Sequence, residues 1–391
     1  MKRFIALITT LCLLFCSMAG IAESTDAELD EAVGTIFKKY KVTGGQLVIA
    51  LQGEIIYQHN YGYAYTLHDK ELVDDGTYFK IASVSKLVTA IHVMQLVEQG
   101  KLDLDVDISD YLGYEVVNGY YPKVPVTLRT LMSHTSSLNS KGGYTHENYT
   151  LKDILDKANK KSKANFKKYA PGSKYEYSNF GAGILGSLIE IATGMNLNDS
   201  AQEGLFLPLG IDASYAPTKL DHPEKISAIF NGSKQQKLSR SRLLKNPWDE
   251  SVNPERHYRI TYGSLWIKGR DLCRLGILLC SGGELDGQQV LQPETVAEMM
   301  SSQNGKGVVT CDSPYGLCIN RVDNLLKDRM IYGHQGMTDN VICNLYFDPE
   351  TEFVFAMVTN GANNYMQDHI GAISRAMFKF AWETFAVPGM Q

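Results

Sequence analysis

The stretch FKIASVSKLVTAIHVM (79–94) places two serines and a lysine within one turn of an otherwise apolar segment. Burying an ammonium group is costly unless it is paired or neutralised. On a helix, residues three apart face the same side, so Ser83 lies beside Lys86 while Ser85 points elsewhere. A lysine in a dry site can act as a base at neutral pH, and a helix N-terminus favours negative charge on the serine oxygen. The spacing therefore predicts a serine nucleophile that needs no histidine.

A structural interpretation of the same spacing competes with this one. Ser83 would then be a helix N-cap, and Lys86 would extend its charged end into solvent. An S-x-x-K match is also expected about once or twice by chance in a chain of this composition. The apolar residues that follow, Leu87, Val88 and Ile91, indicate a buried helix and favour the activated serine.

A second candidate lies in the stretch KYEYSNFGAGILG, where Tyr177 and Asn179 are two residues apart. In an extended segment both side chains point to the same side, so a phenol and an amide would reach one pocket. The glycines at 181, 183 and 186 match G-x-G-x-x-G, but no buried strand or βαβ unit precedes or follows them. We therefore interpret these glycines as helix-packing positions rather than a nucleotide site.

A third candidate is YGHQGMTDN, in which His334 and Gly336 end a strand-like run. A glycine at such a position lets a ligand approach the backbone closely. His334 is then a ligand-facing cation or hydrogen-bond donor, with a purely structural histidine as the alternative. His134 suggests a Ser-His-Asp triad, but the chain has no G-x-S-x-G elbow, so a structural role is favoured for it.

Composition narrows the possible functions. The 391-residue chain has a formal net charge of −5, which is typical of a globular protein and argues against nucleic acid as a partner. No Cys/His set has zinc-site spacing and no H-E-x-x-H occurs, so we expect neither a metal nor another cofactor. The lysines between Lys152 and Lys168 indicate a solvated helix face, with contact to anionic wall polymers as the minor alternative.

The N-terminus indicates the compartment. Residues 1–22 combine a basic start, an apolar run and small residues before Glu23, which predicts a cleaved signal peptide; a retained membrane anchor is the alternative. We therefore expect the protein to be secreted or to lie in the cell envelope.

The cysteines are expected to be mostly structural. Cys273 and Cys280 are seven residues apart on a predicted helix, too far to form a disulfide, and are expected in the core. A bridge between two of Cys311, Cys318 and Cys343 is possible.

The elements that must position these residues follow from periodicity. Two strand-like runs flank Gln52-Gly53, a helix follows and ends near Gly100, and further strands lie near the C-terminus before a final amphipathic helix. The segment from about 105 to 255 is helical and rich in turns. This order predicts an α+β fold in residues 26–385. One antiparallel sheet, built from both chain ends and flanked by helices, would carry an inserted all-helical lobe.

With these motifs in place, the chain resembles the serine β-lactamase and penicillin-binding protein superfamily. It is most similar to the branch of class C β-lactamases, D-alanyl-D-alanine carboxypeptidases and esterases. That branch carries S-x-x-K, Y-x-N and K/H-x-G in this order, here at 83–86, 177–179 and 334–336. The resemblance implies a β-lactamase/transpeptidase-like fold over about Asp26 to Phe385. Secondary landmarks are VTLRTLMSHTSSL (126–138), YGSLWIKGRDLCRLG (262–276) and GGELDGQQVLQPETVAEM (282–299).

The resemblance also implies the catalytic roles. Ser83 would attack a carbonyl, and Lys86 and Tyr177 would share the general-base and general-acid roles. The backbone N–H groups of Ser83 and of Met337, which follows Gly336, would form the oxyanion hole. Asn179 would bind the substrate amide or hold Lys86.

The third motif departs from the β-lactamases at two positions. His334 replaces the lysine of those enzymes and would orient the substrate or assist proton return. Gln335 stands where carboxylate-recognising members often carry threonine, so recognition of a substrate carboxylate is in question.

These implications predict a secreted serine hydrolase that forms an acyl-enzyme on Ser83. Its substrate would be an amide or ester, such as a D-alanyl peptide of the cell wall, a β-lactam or a small ester. The alternative is a sensor of β-lactams or wall peptides that is acylated without efficient turnover. The expected partners are a small-molecule or peptide substrate, with peptidoglycan as a candidate source, and the oligomeric state is left unpredicted.

Overall fold

A computed structural model describes residues 26–66, 70–139, 148–231, 234–235, 244–245, 250–303, 315–338, 340–363 and 365–390. The predicted signal peptide and Cys311 lie outside the described residues. The helices are α1 (Asp26–Lys39), α2 (Val84–Glu98), α3 (Ile108–Leu112), α4 (Leu128–Met132), α5 (Leu151–Leu155), α6 (Asn179–Thr193), α7 (Leu197–Ala201), α8 (Gly269–Cys280), α9 (Pro293–Met300) and α10 (Ala372–Ala381).

The strands begin with the N-terminal hairpin and end just before α10. They are β1 (Gly44–Leu51), β2 (Glu54–Tyr65), β3 (Glu71–Leu72), β4 (Phe79–Lys80), β5 (Ala213–Ser214), β6 (Phe230–Asn231), β7 (Lys234–Gln235), β8 (Trp266–Ile267), β9 (Glu284–Leu285), β10 (Gln288–Gln289), β11 (Asn320–Val322), β12 (Ile331–Thr338), β13 (Val341–Asp348), β14 (Phe353–Thr359), β15 (Met366–Gln367) and β16 (Ile370–Gly371).

The main sheet has seven strands in the order β11-β12-β13-β14-β1-β2-β3, and neighbouring strands pair antiparallel. The pairing of β1 with β14 joins the two ends of the chain, as the sequence predicts. The predicted hairpin between β1 and β2 is also present. Its two turn residues, Gln52 and Gly53, have φ angles of 52° and 81°, the left-handed values that a tight two-residue turn requires.

Alternation along the strands gives the sheet two apolar faces. On β1, Val48 and Ala50 join the larger core with α2 and α8, whereas Leu47 and Ile49 join a second core with α1 and α10. The sheet is therefore covered on both faces, and α2 lies on the same face as the inserted lobe.

The segment expected to be an all-helical lobe is not all-helical: besides helices it contains loops and strands. Within it lie α3 to α7 together with β5, β6 and β7, and β5 pairs with β8 beside β4. A second difference concerns α2, which begins at Val84. Phe79–Lys80 forms β4 instead and pairs with Ile267 and Trp266. The apolar pattern of this stretch indicates burial. A short strand and a helix can both be buried, so the pattern does not distinguish them.

Cysteine placement agrees with the expectation where the structure describes it. Cys273 and Cys280 are free, buried residues at α8, and Cys318 and Cys343 are also free and buried. No bridge therefore joins Cys318 to Cys343. Among the described residues no single helix is long and apolar enough to cross a membrane; Asn179–Thr193 and Leu197–Leu209 meet that test only as a pair bent by 81°.

Candidate active site

The nucleophile candidate lies where the chain enters α2. Ala82 has a φ of 47°, a left-handed value that costs a non-glycine residue on the order of 1 kcal/mol or more. Ser83 follows in the N-cap position, but its side chain makes no capping hydrogen bond. The hydroxyl of Ser83 is therefore available for chemistry, and the strained residue before it fixes its direction. Ser85 points into the core, where its Oγ accepts the N–H of Leu265.

Lys86 is fully buried under this first turn of α2. Its Nζ lies 3.0 Å from Ser83 Oγ and donates to the backbone carbonyl of Tyr262 at 2.6 Å. Burial lowers the pKa of Lys86 to about 7, and Cys318 opposes part of that shift. The lysine is thus in hydrogen-bond contact with the candidate nucleophile and becomes a neutral amine near neutral pH.

Tyr177 approaches the same hydroxyl from the inserted lobe. It precedes α6, whose N-cap Ser178 accepts the N–H of Gly181 through Oγ. The Tyr177 side chain hydrogen-bonds to Ser83, and burial raises its pKa above the ordinary tyrosine value. Its ring centroid is 5.0 Å from Lys86 Nζ. The structure therefore brings Ser83, Lys86 and Tyr177 together, with the tyrosine as a protonated phenol.

Asn179 is the first residue of α6 and follows Tyr177 by two residues. Its Oδ1 is buried and has no hydrogen-bond partner among the described residues. Lys86 donates to Tyr262 in this structure, so the lysine is held by a backbone carbonyl. An unpaired amide oxygen at this end of α6 is suited to accept an N–H from a substrate.

Strand β12 closes the other side of the nucleophile. A Cβ built on Gly336 would lie 2.4 Å from the carbonyl oxygen of Ile81 and 3.0 Å from the backbone N of Ser83. Only glycine permits this approach of β12 to the start of α2. Met337 follows directly, and its side chain is exposed. The strand backbone thus borders the N–H of Ser83, the arrangement that an oxyanion hole requires.

Gly336→Ala tests this packing. The added methyl cannot fit without moving β12 from α2, and a displacement of about 1 Å can cost on the order of 10²-fold in rate. We expect kcat/KM for an ester substrate to fall by about that factor. The matched control is Gly34→Ala in α1, where the nearest atom to a new Cβ is 3.9 Å away. Gly336→Ala with the activity of Gly34→Ala would contradict the assigned contact.

His334 is buried on the α2 side of the sheet, with 2% of its surface exposed. Its Nδ1 lies 2.6 Å from the carbonyl oxygen of Gln335, and its Nε2 lies 2.9 Å from the hydroxyl of Tyr315. Burial and the nearby Lys86 charge lower the pKa of His334 to about 3. This differs from the cation considered in the sequence analysis, because the imidazole is neutral at ordinary pH and both nitrogens bond to the protein.

An aromatic cluster supports Tyr177 from behind. The ring of His134 lies 4.3 Å from that of Tyr177 and 5.0 Å from that of Tyr315. His134 Nδ1 accepts the N–H of Ser178 at 3.3 Å, and burial lowers the pKa of this histidine well below its ordinary value. His134 is therefore a neutral packing partner of Tyr177, consistent with a structural role.

Three contributors to the site carried no recognisable signal in the sequence. The carbonyl of Tyr262 holds Lys86, the hydroxyl of Tyr315 holds His334, and the left-handed Ala82 orients Ser83. A backbone carbonyl can come from any residue type, and a strained alanine has no compositional mark. Among the described residues, no group of three or more His, Cys, Asp or Glu side chains is arranged to hold a metal ion.

Comparisons with known proteins agree with this geometry. The sequence is 29% identical to Penicillin-binding protein 4* of Bacillus subtilis over 56% of the chain and 47% of that protein. It is 28% identical to Esterase EstB of Burkholderia gladioli over 54% of the chain and 55% of that protein. The match therefore spans about half the length of these curated relatives.

The fold has solved counterparts. The penicillin-binding protein homologue from Pyrococcus abyssi superposes with a TM-score of 0.69 and 18% identity, covering 92% of this chain and 77% of that one. It shares the antiparallel sheet with flanking helices, as expected for a β-lactamase/transpeptidase-like fold. The profile of the family described as Beta-lactamase matches residues 27–376. The chain belongs to the Beta-lactamase family.

Proposed function

We propose that the protein is a serine hydrolase that forms and hydrolyses an acyl-enzyme on Ser83. The observation that carries this proposal is the 3.0 Å contact between Lys86 Nζ and Ser83 Oγ, made by a fully buried lysine whose pKa is about 7. An amine at that distance can take the serine proton as the hydroxyl attacks a carbonyl carbon.

The steps follow from the groups around Ser83. Its oxygen bonds to the substrate carbonyl carbon while its proton moves to Lys86. The backbone N–H groups of Ser83 and Met337 stabilise the resulting oxyanion. The tetrahedral intermediate collapses when the leaving group takes a proton from the Lys86 and Tyr177 pair. Water then attacks the acyl-enzyme with Lys86 again as the base, releasing the acid and free Ser83.

The two basic candidates divide the work by their proton affinities. Lys86, with its pKa lowered to about 7, is deprotonated in a large fraction of molecules at neutral pH. Tyr177 has a raised pKa, so its phenolate is scarce and its hydroxyl is a hydrogen-bond donor. We therefore assign the general-base role to Lys86 and the proton-donating role to Tyr177.

The substrate belongs to the classes that this chemistry can cleave: a D-alanyl peptide of the cell wall, a β-lactam or a small ester. The penicillin-binding and esterase names of the relatives support this range. Peptidoglycan would be the macromolecular partner for the first class. We place the protein outside the cytoplasm because residues 1–22 have signal-peptide character. N-terminal sequencing of exported protein should begin at Glu23.

Turnover distinguishes the enzyme from an acylated sensor. With p-nitrophenyl acetate in large excess, we expect release of many equivalents of p-nitrophenol per Ser83 at a constant rate. The same assay with a fluorescent penicillin measures whether a β-lactam is released or retained. If every substrate tried gives a burst of one equivalent of product and no further release, the protein is an acylated sensor and not a hydrolase.

A further inference from the structure

The strand that borders Ser83 offers two polar side chains that a substrate could use, and both are already engaged. His334 is held on the α2 side of the sheet between the Tyr315 hydroxyl and the Gln335 carbonyl. Its Nδ1 is the protonated nitrogen, because only a donor can approach a carbonyl at 2.6 Å. Nε2 then accepts from Tyr315, so His334 has neither a charge nor a free N–H to give to an anion.

Gln335 points to the opposite face of the sheet, as alternation along β12 requires. Its cross-strand neighbour Asn344 confirms this direction, because Asn344 Oδ1 accepts the hydroxyl of Ser374 on α10. Gln335 Nε2 donates to the carbonyl of His369 at 2.7 Å, and Gln335 Oε1 accepts the N–H of Gly371 at 3.3 Å. The amide therefore fastens the β15–β16 hairpin to β12 and cannot reach a substrate without releasing it.

Among the described residues, Lys86 is the cationic group in contact with the nucleophile, and it must be neutral to act as a base. A carboxylate placed near it would favour the ammonium form and raise its pKa, removing the base at neutral pH. Among the described residues, the other titratable groups that act on Lys86 or share its pocket are Tyr177, Tyr262, Cys318, His134 and His334. Burial keeps both histidines neutral, so neither offsets a substrate carboxylate.

We propose that the site selects substrates with no carboxylate beside the scissile bond, neutral esters foremost, because His334 and Gln335 are tied into the fold. This inference rests on the proposed function and narrows its substrate range. His334 and Gln335 determine specificity because their hydrogen bonds within the protein leave neither side chain to bind a substrate carboxylate.

The test compares pairs of esters in which one member carries a carboxylate and the other does not. Phenyl acetate is paired with 3-carboxyphenyl acetate, and p-nitrophenyl valerate is paired with p-nitrophenyl hemisuccinate, so that the carboxylate lies on either side of the scissile bond. We expect kcat/KM to favour the neutral member of each pair by at least about tenfold at pH 7.5. We also expect the acid limb of kcat to lie at higher pH for the carboxylated members. Equal rates, or a preference for the carboxylated members, would overturn the proposal.

Two variants locate the cause of the selectivity. His334→Lys should shift the ratio toward the carboxylated substrates by about tenfold; if this variant does not fold, the wild-type ratios decide. Arg259 is the rival cation: it is 9% exposed, and one terminal guanidinium nitrogen has no partner among the described residues. A carboxylate preference that is lost in Arg259→Gln would assign an anion site to Arg259 and overturn the proposal.

Failure of this inference and failure of the proposed function give different results. If Ser83 is acylated and the carboxylated substrates are preferred, the hydrolase stands and only the substrate class is wrong. If no substrate acylates Ser83, the proposed function itself fails.

Discussion

Replacing Ser83 by alanine is expected to lower kcat/KM for ester hydrolysis by at least about 10³-fold, as other nucleophile deletions do. The hydroxyl makes no capping hydrogen bond, so its loss does not remove a helix cap. Lys86 keeps its bond to the Tyr262 carbonyl in the variant. Thermal unfolding of Ser83→Ala should therefore stay close to that of the wild type.

Ser85→Ala is the matched control, the same change two residues along the same turn. Ser85 Oγ accepts the Leu265 N–H in the core, so its removal leaves a buried donor unpaired and costs about 1–3 kcal/mol. Activity per folded molecule should remain within a few-fold of wild type. Normal hydrolysis by Ser83→Ala, or equal activity losses in the two variants, would remove Ser83 from the nucleophile role.

Loss of the Lys86 amine is the second large effect. Lys86→Met should lower kcat/KM by about 10³-fold or more at pH 7, because no neutral amine remains to take the serine proton. In the wild type, kcat/KM for a neutral ester should fall as pH decreases through about 7, the pKa to which burial lowers this lysine. A wild-type profile that is flat from about pH 5 to 9 would contradict Lys86 as the base.

Replacing Lys86 is expected to raise stability at pH 7, although it lowers activity. Its pKa is lowered on folding, so the unfolded chain binds more protons between about pH 7 and 10.5, and stability rises with pH across that window. Lys86→Met should therefore unfold at a higher temperature than wild type at pH 7. The free energy of unfolding should rise by on the order of 2 kcal/mol, which allows for the two hydrogen bonds that Lys86 makes and methionine cannot make. This gain should shrink as pH approaches 10.5. Calorimetry at several pH values measures both the sign and the trend.

The sequence predicted the parts of the molecule that have a periodic or motif-level signal. Alternation in β1 and β14 located the sheet from both chain ends, and the Gln52-Gly53 pair located the hairpin. The three-residue spacing of Ser83 and Lys86 placed both on one side of α2, where the structure has them in contact. These predictions succeed because they depend on local geometry that few alternatives share.

The parts that sequence did not predict depend on tertiary contacts. His334 was considered as a cation, yet its pKa falls to about 3 through burial and the charge of Lys86, neither of which is visible in the residues around it. Gln335 put recognition of a substrate carboxylate in question, but no residue near it in the sequence shows that its amide binds the hairpin at His369 and Gly371. The Tyr262 carbonyl that holds Lys86 is 176 residues away along the chain.

The most direct test of the account is to trap the acyl-enzyme analogue. The protein is treated with a fluorophosphonate, intact mass is measured, and the labelled peptide is sequenced by tandem mass spectrometry. We expect one adduct per chain, located on Ser83, absent in Ser83→Ala and retained in Ser85→Ala. We also expect p-nitrophenyl ester hydrolysis to disappear in proportion to labelling. An adduct on another residue with Ser83 unmodified, or full activity in the labelled protein, would contradict the account.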